Sequence, residues 1–197
     1  MFGFGRETLL RTERLLLRPP RLSDYHDWTG ARRESRDHLK PWEPVWAPDH
    51  LSRAAFRHRV RWSRQAMRLK RAWPFLILTA REGDLVGAVT LDNLRRGPAE
   101  TATLGYWIAA KHARKGYMSE TLREIRRFAF EELDLSRLEA GCLPENTASR
   151  ALLEQAGFIL EGTARAYLQI DGRWRDHVLY AALREDRRGQ ALNPIGI

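Results

Sequence analysis

The run from Leu104 to Leu122, LGYWIAAKHARKGYMSETL, constrains this chain more than any other segment. Leu104, Tyr106 and Ile108 alternate as in a half-buried strand, His112 to Lys115 form a basic loop, and Gly116 precedes a helical pattern. Met118, Leu122, Ile125 and Ala129 recur at helical spacing, with Glu120, Arg123, Glu124 and Arg127 on the wet face. Where a strand feeds a glycine-bearing turn at a helix start, unpaired N–H groups and the positive helix end meet at one point. Such a point can hold a pyrophosphate, and Arg114 and Lys115 add formal charge there. Neither common nucleotide fingerprint is present: GxxxxGK(S/T) does not occur, and the GxG at Gly3 and Gly5 has no strand before it.

The rest of the chain predicts a mixed α/β domain. Arg14 to Arg18 reads as a strand, and Ser23 as the cap of a short helix ending around Gly30. Pro41, Pro44 and Pro48 break regular structure, which makes their loop a candidate binding loop. Leu51 to Leu69 reads as a helix crowded with arginines. Phe75 to Ala80, Leu85 to Leu91 and Thr101 to Ala109 then form an antiparallel meander, with turns between them. The helix after Gly116 leads to a strand at Leu138 to Leu143, expected to lie parallel to the strand before the loop. Asn146 or Thr147 caps a further helix, which Gly157 ends. Strands are expected at Phe158 to Glu161 and Ala166 to Ile170, and Asp171 and Gly172 signal a two-residue hairpin into Trp174 to Leu183. Asp186 to Ile197 reads as a loose tail.

Composition bounds the function classes. With 197 residues and 43% hydrophobic content, one domain spanning residues 1–197 is expected, its core at about 9–183. The longest apolar run, Trp73 to Ala80, falls far short of the roughly 20 residues of a membrane span. Met1 to Arg11 carries charges without a sustained apolar region, so a soluble, cytoplasmic protein is expected. Cys142 has no second cysteine to pair with and reads as a small apolar residue in a strand. The six histidines show no metal-ligand spacing, and no metal is expected.

Asn146, Ser149, Leu153, Gly157 and Phe158 fit the pattern NxxSxxx(Y/L)xxxGF. Together with the loop Ala113, Arg114, Lys115, Gly116, Tyr117 and Met118, one strand upstream, this order resembles the GNAT N-acetyltransferases. Within that family HLKPWEP (His38 to Pro44), LDNLRRG (ending at Gly97) and YLQIDGRWRDHVLYAAL (Tyr167 to Leu183) are similar to the ribosomal-protein-alanine N-acetyltransferases. The likeness covers nearly all of Leu9 to Leu183. It implies a mostly antiparallel central sheet flanked by helices, in which a parallel strand pair splays apart to hold acetyl-CoA. Ala113 to Met118 would then bind the pyrophosphate, and Trp107, Ile108 and Ala109 would offer backbone to the pantetheine arm. Asn146 would touch the cosubstrate or the splayed strand, or serve purely as a helix cap.

The resemblance implies transfer of an acetyl group to an amine. A neutral amine attacks the thioester, an oxyanion needs a donor, and the CoA thiolate leaves with or without a proton. At pH 7 roughly a tenth of an α-amino group is neutral, against under a thousandth of a lysine, so an N-terminal acceptor needs only a weak base. The family's usual tyrosine acid is replaced here by Leu153, and Ser149 is the nearest group able to protonate the sulfur. Its alternative role is a hydroxyl on the helix surface. Thr103 stands where the family has a basic Glu, which leaves Glu43, Asp92, Glu100 and Asp176 as candidate bases, each also explicable as a salt-bridge or turn residue. Trp42, Glu43, Tyr167, Trp174 and Asp176 are the expected acceptor-binding residues.

Thirty-four basic against 25 acidic residues give a net charge of +9, densest between Arg53 and Arg71. This face either contacts rRNA phosphates or is a solvated helix. The expected function is acetylation of a protein N-terminus, plausibly ribosomal. Acetylation of a small amine, such as an aminoglycoside or polyamine, and a non-catalytic ribosome-assembly or RNA-binding module remain the alternatives. Monomer and homodimer are both open.

Overall fold

One eight-stranded sheet organises residues 8–185, the part of the chain that the computed structural model describes. Its strands are β1 (Leu10–Arg11), β2 (Leu15–Arg18), β3 (Trp73–Thr79), β4 (Leu85–Arg95), β5 (Thr101–Ile108), β6 (Arg137–Cys142), β7 (Ile159–Ile170) and β8 (Arg173–Leu183). They lie in the order β1-β2-β3-β4-β5-β6-β8-β7, and the single parallel contact is β5 with β6. The helices are α1 (Tyr25–Glu34), the short α2 (Arg36–Leu39), α3 (Arg53–Arg68), α4 (Tyr117–Arg127) and α5 (Thr147–Gln155). This is the mixed, mostly antiparallel architecture expected from the sequence. The tail expected from Asp186 onward lies outside the described residues.

Both faces of the sheet are covered. Because successive side chains of a strand point to opposite faces, Phe75 and Ile77 of β3 join Leu122 and Ile125 of α4, while Leu76 and Leu78 join Trp28 of α1 and Phe56 of α3. That double burial is why β3 reads as an uninterrupted apolar run.

Several local expectations change. Ser23 does not cap a helix: it lies in a 3₁₀ turn, Leu22–Asp24, held by Asp24, whose carboxylate accepts from Arg18 (2.7 Å twice) and from the Arg21 N–H (2.7 Å). The following α1 runs through Gly30 to Glu34. Burial of Trp28 and Ala31 on either side outweighs the ~1 kcal/mol helix cost of a glycine. The two strands expected between Phe158 and Ile170 are one continuous β7 with register shifts at Leu160/Gly162 and Ala164/Leu168. The bulge near Ala166 (φ 46°) is held by the Ala166 N–H, which donates to Asp176 Oδ1 at 2.8 Å. Beyond Arg127 the α4 helix widens into a π turn, Phe128–Glu132.

The feature that matters for function is a divergence in the sheet. β5 pairs with β6 only at Thr101, Ala102 and Thr103, opposite Arg137, Leu138 and Glu139. Beyond this β5 stays with β4 as far as Ile108, while β6 stays with β8 as far as Cys142. A wedge-shaped gap opens between them. Gly87 lets β4 and β5 approach at its mouth: a Cβ there would stand 2.2 Å from the Trp107 carbonyl oxygen.

Candidate active site

The loop expected to bind an anion stands at the wide end of this gap. The Ala109 N–H donates to the Val86 carbonyl (2.8 Å), and the Ala109 carbonyl accepts from the His112 N–H (2.9 Å). Ala109 is therefore committed within the protein and, contrary to expectation, is not a free backbone partner. Bonded pairs alternate along an antiparallel ladder, so Trp107 turns its groups toward β4, while Tyr106 and Ile108 turn theirs into the gap. Of the expected pantetheine partners, Ile108 turns its backbone groups into the gap, and Tyr106 does the same.

After the 3₁₀ turn Ala110–His112 the chain passes through Arg114 (φ 61°) and Gly116 (φ 77°) before α4 begins. Among the described residues no side chain caps that helix. Its first N–H groups have no intrahelical acceptor, and residues of alternating hand turn successive N–H groups to one side. A pyrophosphate fits this cradle, with Lys115 and Arg114 beside it. Met118, expected in the loop motif, is 5% exposed and packs in the core. Tyr117 stacks under the Arg14 guanidinium, 4.8 Å from its centroid.

Arg14 is a residue that motif reading missed. Its Nη1 donates to the Lys115 carbonyl (3.1 Å) and its Nε to Glu120 Oε2 (2.7 Å). Glu120 also accepts from Thr12 and from the Arg14 N–H. Burial pushes the Glu120 carboxyl up, but the hydrogen bonds from Thr12 and Arg14 prevail and hold it below the usual range. This pin fixes the loop against the first strands of the sheet. His112 is buried beside Tyr117, and neither ring nitrogen has a partner among the described residues. Burial, Lys111 and Lys115 keep it below its ordinary pKa, hence neutral.

At the other side of the gap Asn146 Oδ1 accepts the Ser149 N–H at 3.0 Å, which is the capping role. Ser149 is not a mere surface hydroxyl: its Oγ stands 2.7 Å from the Tyr106 hydroxyl. The bond joins β5 to α5 and so spans the gap. Burial drives the Tyr106 phenol up to about 12, with the Ser149 bond opposing, so it stays protonated. Burial likewise pushes the neighbouring Cys142 thiol up, against a hydrogen bond from Ser149, which keeps it a thiol.

The Pro-rich loop and the hairpin tip meet. The Asp171 N–H donates to the Glu43 carbonyl at 3.0 Å, and Lys40 lies 3.9 Å from the Asp171 carboxylate. Glu43 receives Arg32 Nη1 (2.7 Å) and Trp46 Nε1 (2.8 Å), and its second oxygen takes the other arm of the guanidinium. Arg32 is 4% exposed and lies 4.4 Å from the Trp46 ring and 4.9 Å from the Trp107 ring. Its Nη2 stands 3.3 Å from His50 Nε2. Burial, then Arg32 and Arg59, lower His50 to about 4, so the ring is neutral and accepts from Arg32. Tyr167 reaches over β6, where a Cβ on Gly141 would lie 3.6 Å from its ring. Trp42 and Trp174 are exposed on the loop and hairpin.

The remaining carboxylates lie elsewhere. Asp92 is paired opposite Thr103, at the closed end of the gap, and accepts the Asn93 N–H. Glu100 caps a turn through Gly97 N–H and Arg96, both at 2.9 Å, before β5 begins. Six residues of strand, about 20 Å, separate it from Tyr106. Asp176 holds the β7 bulge. Asp92 thus stands where the gap closes, three strand positions from Tyr106, and Glu100 stands beyond it in the turn before β5. Among the described residues no three metal-ligating side chains cluster, and no helix is long and apolar enough to cross a membrane.

Known proteins agree with this architecture. The family model of the acetyltransferase (GNAT) domain matches residues 14–159. A Bacillus subtilis protein described as a probable N-acetyltransferase, YjcK, is 34% identical over 90% of this chain and 98% of its own. The alanine N-acetyltransferase of ribosomal protein uS5 from Escherichia coli is 34% identical over 94% and 97%. The solved structure of Mycobacterium smegmatis RimJ in complex with CoA-disulfide superposes with a TM-score of 0.83 at 33% identity, covering 92% of this chain and 88% of that one. With the splayed pair, the capless α4 and its loop in place, the chain belongs to the GNAT family of acetyl-CoA-dependent N-acetyltransferases.

Proposed function

We propose that this enzyme acetylates the α-amine of a protein N-terminus, and that the protein is ribosomal. The observation that carries the reading is the contact between the Asp171 N–H and the Glu43 carbonyl. It joins the hairpin to the Pro-rich loop, whose Glu43 holds the Arg32 lying against Trp107 of β5, and such a frame suits an extended chain end. The full-length likeness to the uS5-alanine enzyme supports the same acceptor.

Bound acetyl-CoA supplies the thioester carbon and the leaving sulfur. Tyr106 and Ile108 offer backbone groups along its arm, and the loop before α4 holds its phosphates. Ser149, backed by the protonated Tyr106, is placed to donate a proton to the departing sulfur. Both Glu43 oxygens are engaged, so Glu43 positions Arg32 and the loop and takes no proton directly. An α-amine that is already about a tenth neutral at pH 7 can lose its proton to water. On α3, Arg57, Arg61, Arg64 and Arg68 are exposed and no acidic residue lies within the helix, a stripe suited to rRNA phosphates.

The deciding experiment is acetyl-CoA turnover against N-terminal peptides, ribosomal ones included, and small amines, with acetylated positions read by mass spectrometry. Modification of the α-amine of peptides is expected. Preference for polyamines or aminoglycosides over every peptide would overturn the reading.

A further inference from the structure

Between α3 and the sheet lies a pocket of about 200 Å³ bordered by Trp28, Arg59, Trp62, Thr90, Gly105 and Trp107. It touches β5 at Gly105, Tyr106 and Trp107 on the α1 and α3 face of the sheet, while the Tyr106 side chain packs toward the other face. Nothing in the chemistry above uses Arg59. Its guanidinium lies 5.0 Å from the centroid of the Trp28 ring, and among the described residues no carboxylate stands within ion-pairing distance of it. Glu43, the anion whose field reaches Arg59, is already bound on both oxygens by Arg32 and on one by Trp46. His50 is neutral. Asp49 lies close enough to act on His50, but within Arg32, Glu43, His50 and Arg59 there is one more cation than anion, and Arg59 borders the pocket.

The energetics point to a missing anion. Arg59 stays open to solvent at the rim of the pocket, where crowding by protein atoms, and then the nearby Arg32, lower its pKa, so an anion beside it would relieve the repulsion from Arg32. A bare α-ammonium would be repelled as well. A carboxylate would instead complete a forked pair with the guanidinium at this rim. The flat faces of Trp28, Trp62 and Trp107 suit peptide units leading to it. Two extended residues span about 7 Å, so a carboxylate two or three residues behind an amine held beside β5 could enter the pocket.

We infer that this pocket is an anion subsite of the acceptor, in which Arg59 binds a carboxylate borne by the second or third residue behind the α-amine. The inference rests on the N-terminal-acceptor reading. Preferred substrates are then chain ends with Asp or Glu at those positions. Besides selecting the acceptor, Arg59 and its bound carboxylate leave the pocket nearly neutral, so the amine is neither repelled nor held as a tightly paired cation.

The test uses peptide pairs of one sequence that differ as Asp against Asn, or Glu against Gln, at the second and third positions. Initial rates are measured on the wild type, Arg59→Gln and Arg59→Lys, and binding to the CoA-loaded proteins is followed by tryptophan fluorescence of the pocket walls. In the wild type kcat/KM is expected to favour the acidic member at least tenfold, mainly through KM. Arg59→Gln should bring the ratio near one, and Arg59→Lys should retain part of it. Acetyl-CoA affinity, read by calorimetry, should not move. Equal rates and equal binding of the paired peptides in the wild type, or an acidic preference that survives Arg59→Gln, would overturn the inference. If no peptide is acetylated yet acidic peptides still bind in an Arg59-dependent way, the subsite stands and the N-terminal-acetylation reading alone fails. If peptides neither react nor bind, both fail.

Discussion

Tyr106 and Ser149 share a 2.7 Å hydrogen bond from a strand on one side of the sheet's divergence to a helix on the other. The family's tyrosine acid is absent at Leu153 of α5, and this pair brings a phenol to Ser149 of that helix from the strand β5 instead. Ser149→Ala should lower kcat on the order of tenfold to a hundredfold, because protonating the sulfur matters only as its bond breaks. KM for acetyl-CoA should change far less. Tyr106→Phe should give a smaller loss, and the double variant should be no worse than Ser149→Ala, since the two act as one unit. Steady-state kinetics with chemistry rate-limiting checks this; additive losses would separate the two residues.

The loop before α4 depends on a left-handed Gly116. A valine there must adopt φ 77°, which a β-branched residue resists, and its Cβ would stand 3.4 Å from Arg14 Nη2. Gly116→Val should weaken acetyl-CoA binding at least tenfold, about 1.4 kcal/mol, in calorimetry on a folded protein. Arg14→Ala, which releases the Lys115 carbonyl and Glu120, should weaken it less and leave kcat at saturation nearly unchanged. Full affinity in both variants would move the pyrophosphate site elsewhere.

What the sequence made legible is local. The loop, the Asn146 cap, the hairpin turn and the helix faces announce themselves within a few residues, because turns, caps and helical periods are short-range physics. The pin between Arg14 and Glu120 joins residues 106 apart, and the Tyr106–Ser149 bond joins residues 43 apart. Neither residue type signals its partner. Glu43 stands out in the sequence as a candidate, but its partner does not: only the fold brings the buried Arg32 to it. Where Asp92 and Glu100 stand along the gap is invisible without the strand register.

His50 offers a pH readout of the acceptor-side cluster. Its pKa falls from 6.5 to about 4 on folding, so between those values the unfolded chain binds more protons than the folded one. The His50 contribution is therefore fully present above about 6.5 and declines as pH drops toward 4, then levels off. His50→Gln keeps a neutral acceptor for Arg32 and should flatten that part of the stability profile measured by denaturant unfolding. An identical slope in both proteins would show that His50 titrates normally.

The tightest backbone approach near the site is Gly87 against Trp107. A Cβ at 2.2 Å from the Trp107 oxygen cannot be absorbed by a flexible neighbour, since the atom it meets is backbone. Gly87→Ala should therefore push β5 away from β4, lower stability by about 1–3 kcal/mol, and raise KM for both substrates, because Trp107 borders the acceptor pocket and Ile108 the gap. Unfolding midpoints with kinetics on the same preparation test it; a variant with unchanged melting and kinetics would show that the strands have slack.

Glu43 decides between a base and a positioning residue. Glu43→Gln keeps the shape but leaves the buried Arg32 without its counter-charge, among Trp46, Trp107 and His50. Losing one partner of a pair this buried is costly, about 3–5 kcal/mol when the other charge has no alternative. The Pro-rich loop should then loosen, and with it the contact that the Asp171 N–H makes to the Glu43 carbonyl. A positioning role predicts a raised KM for peptides, little change in acetyl-CoA affinity, and a pH–rate profile whose rising limb keeps the apparent pKa of the acceptor amine. Arg32→Lys should reproduce the KM effect, since an ammonium cannot make the forked bond to Glu43. A base would behave otherwise: Glu43→Gln would collapse kcat and abolish that limb, while Arg32→Lys would leave the limb in place. A kcat collapse in Glu43→Gln alone would return the carboxylate to the chemistry and remove it from the frame.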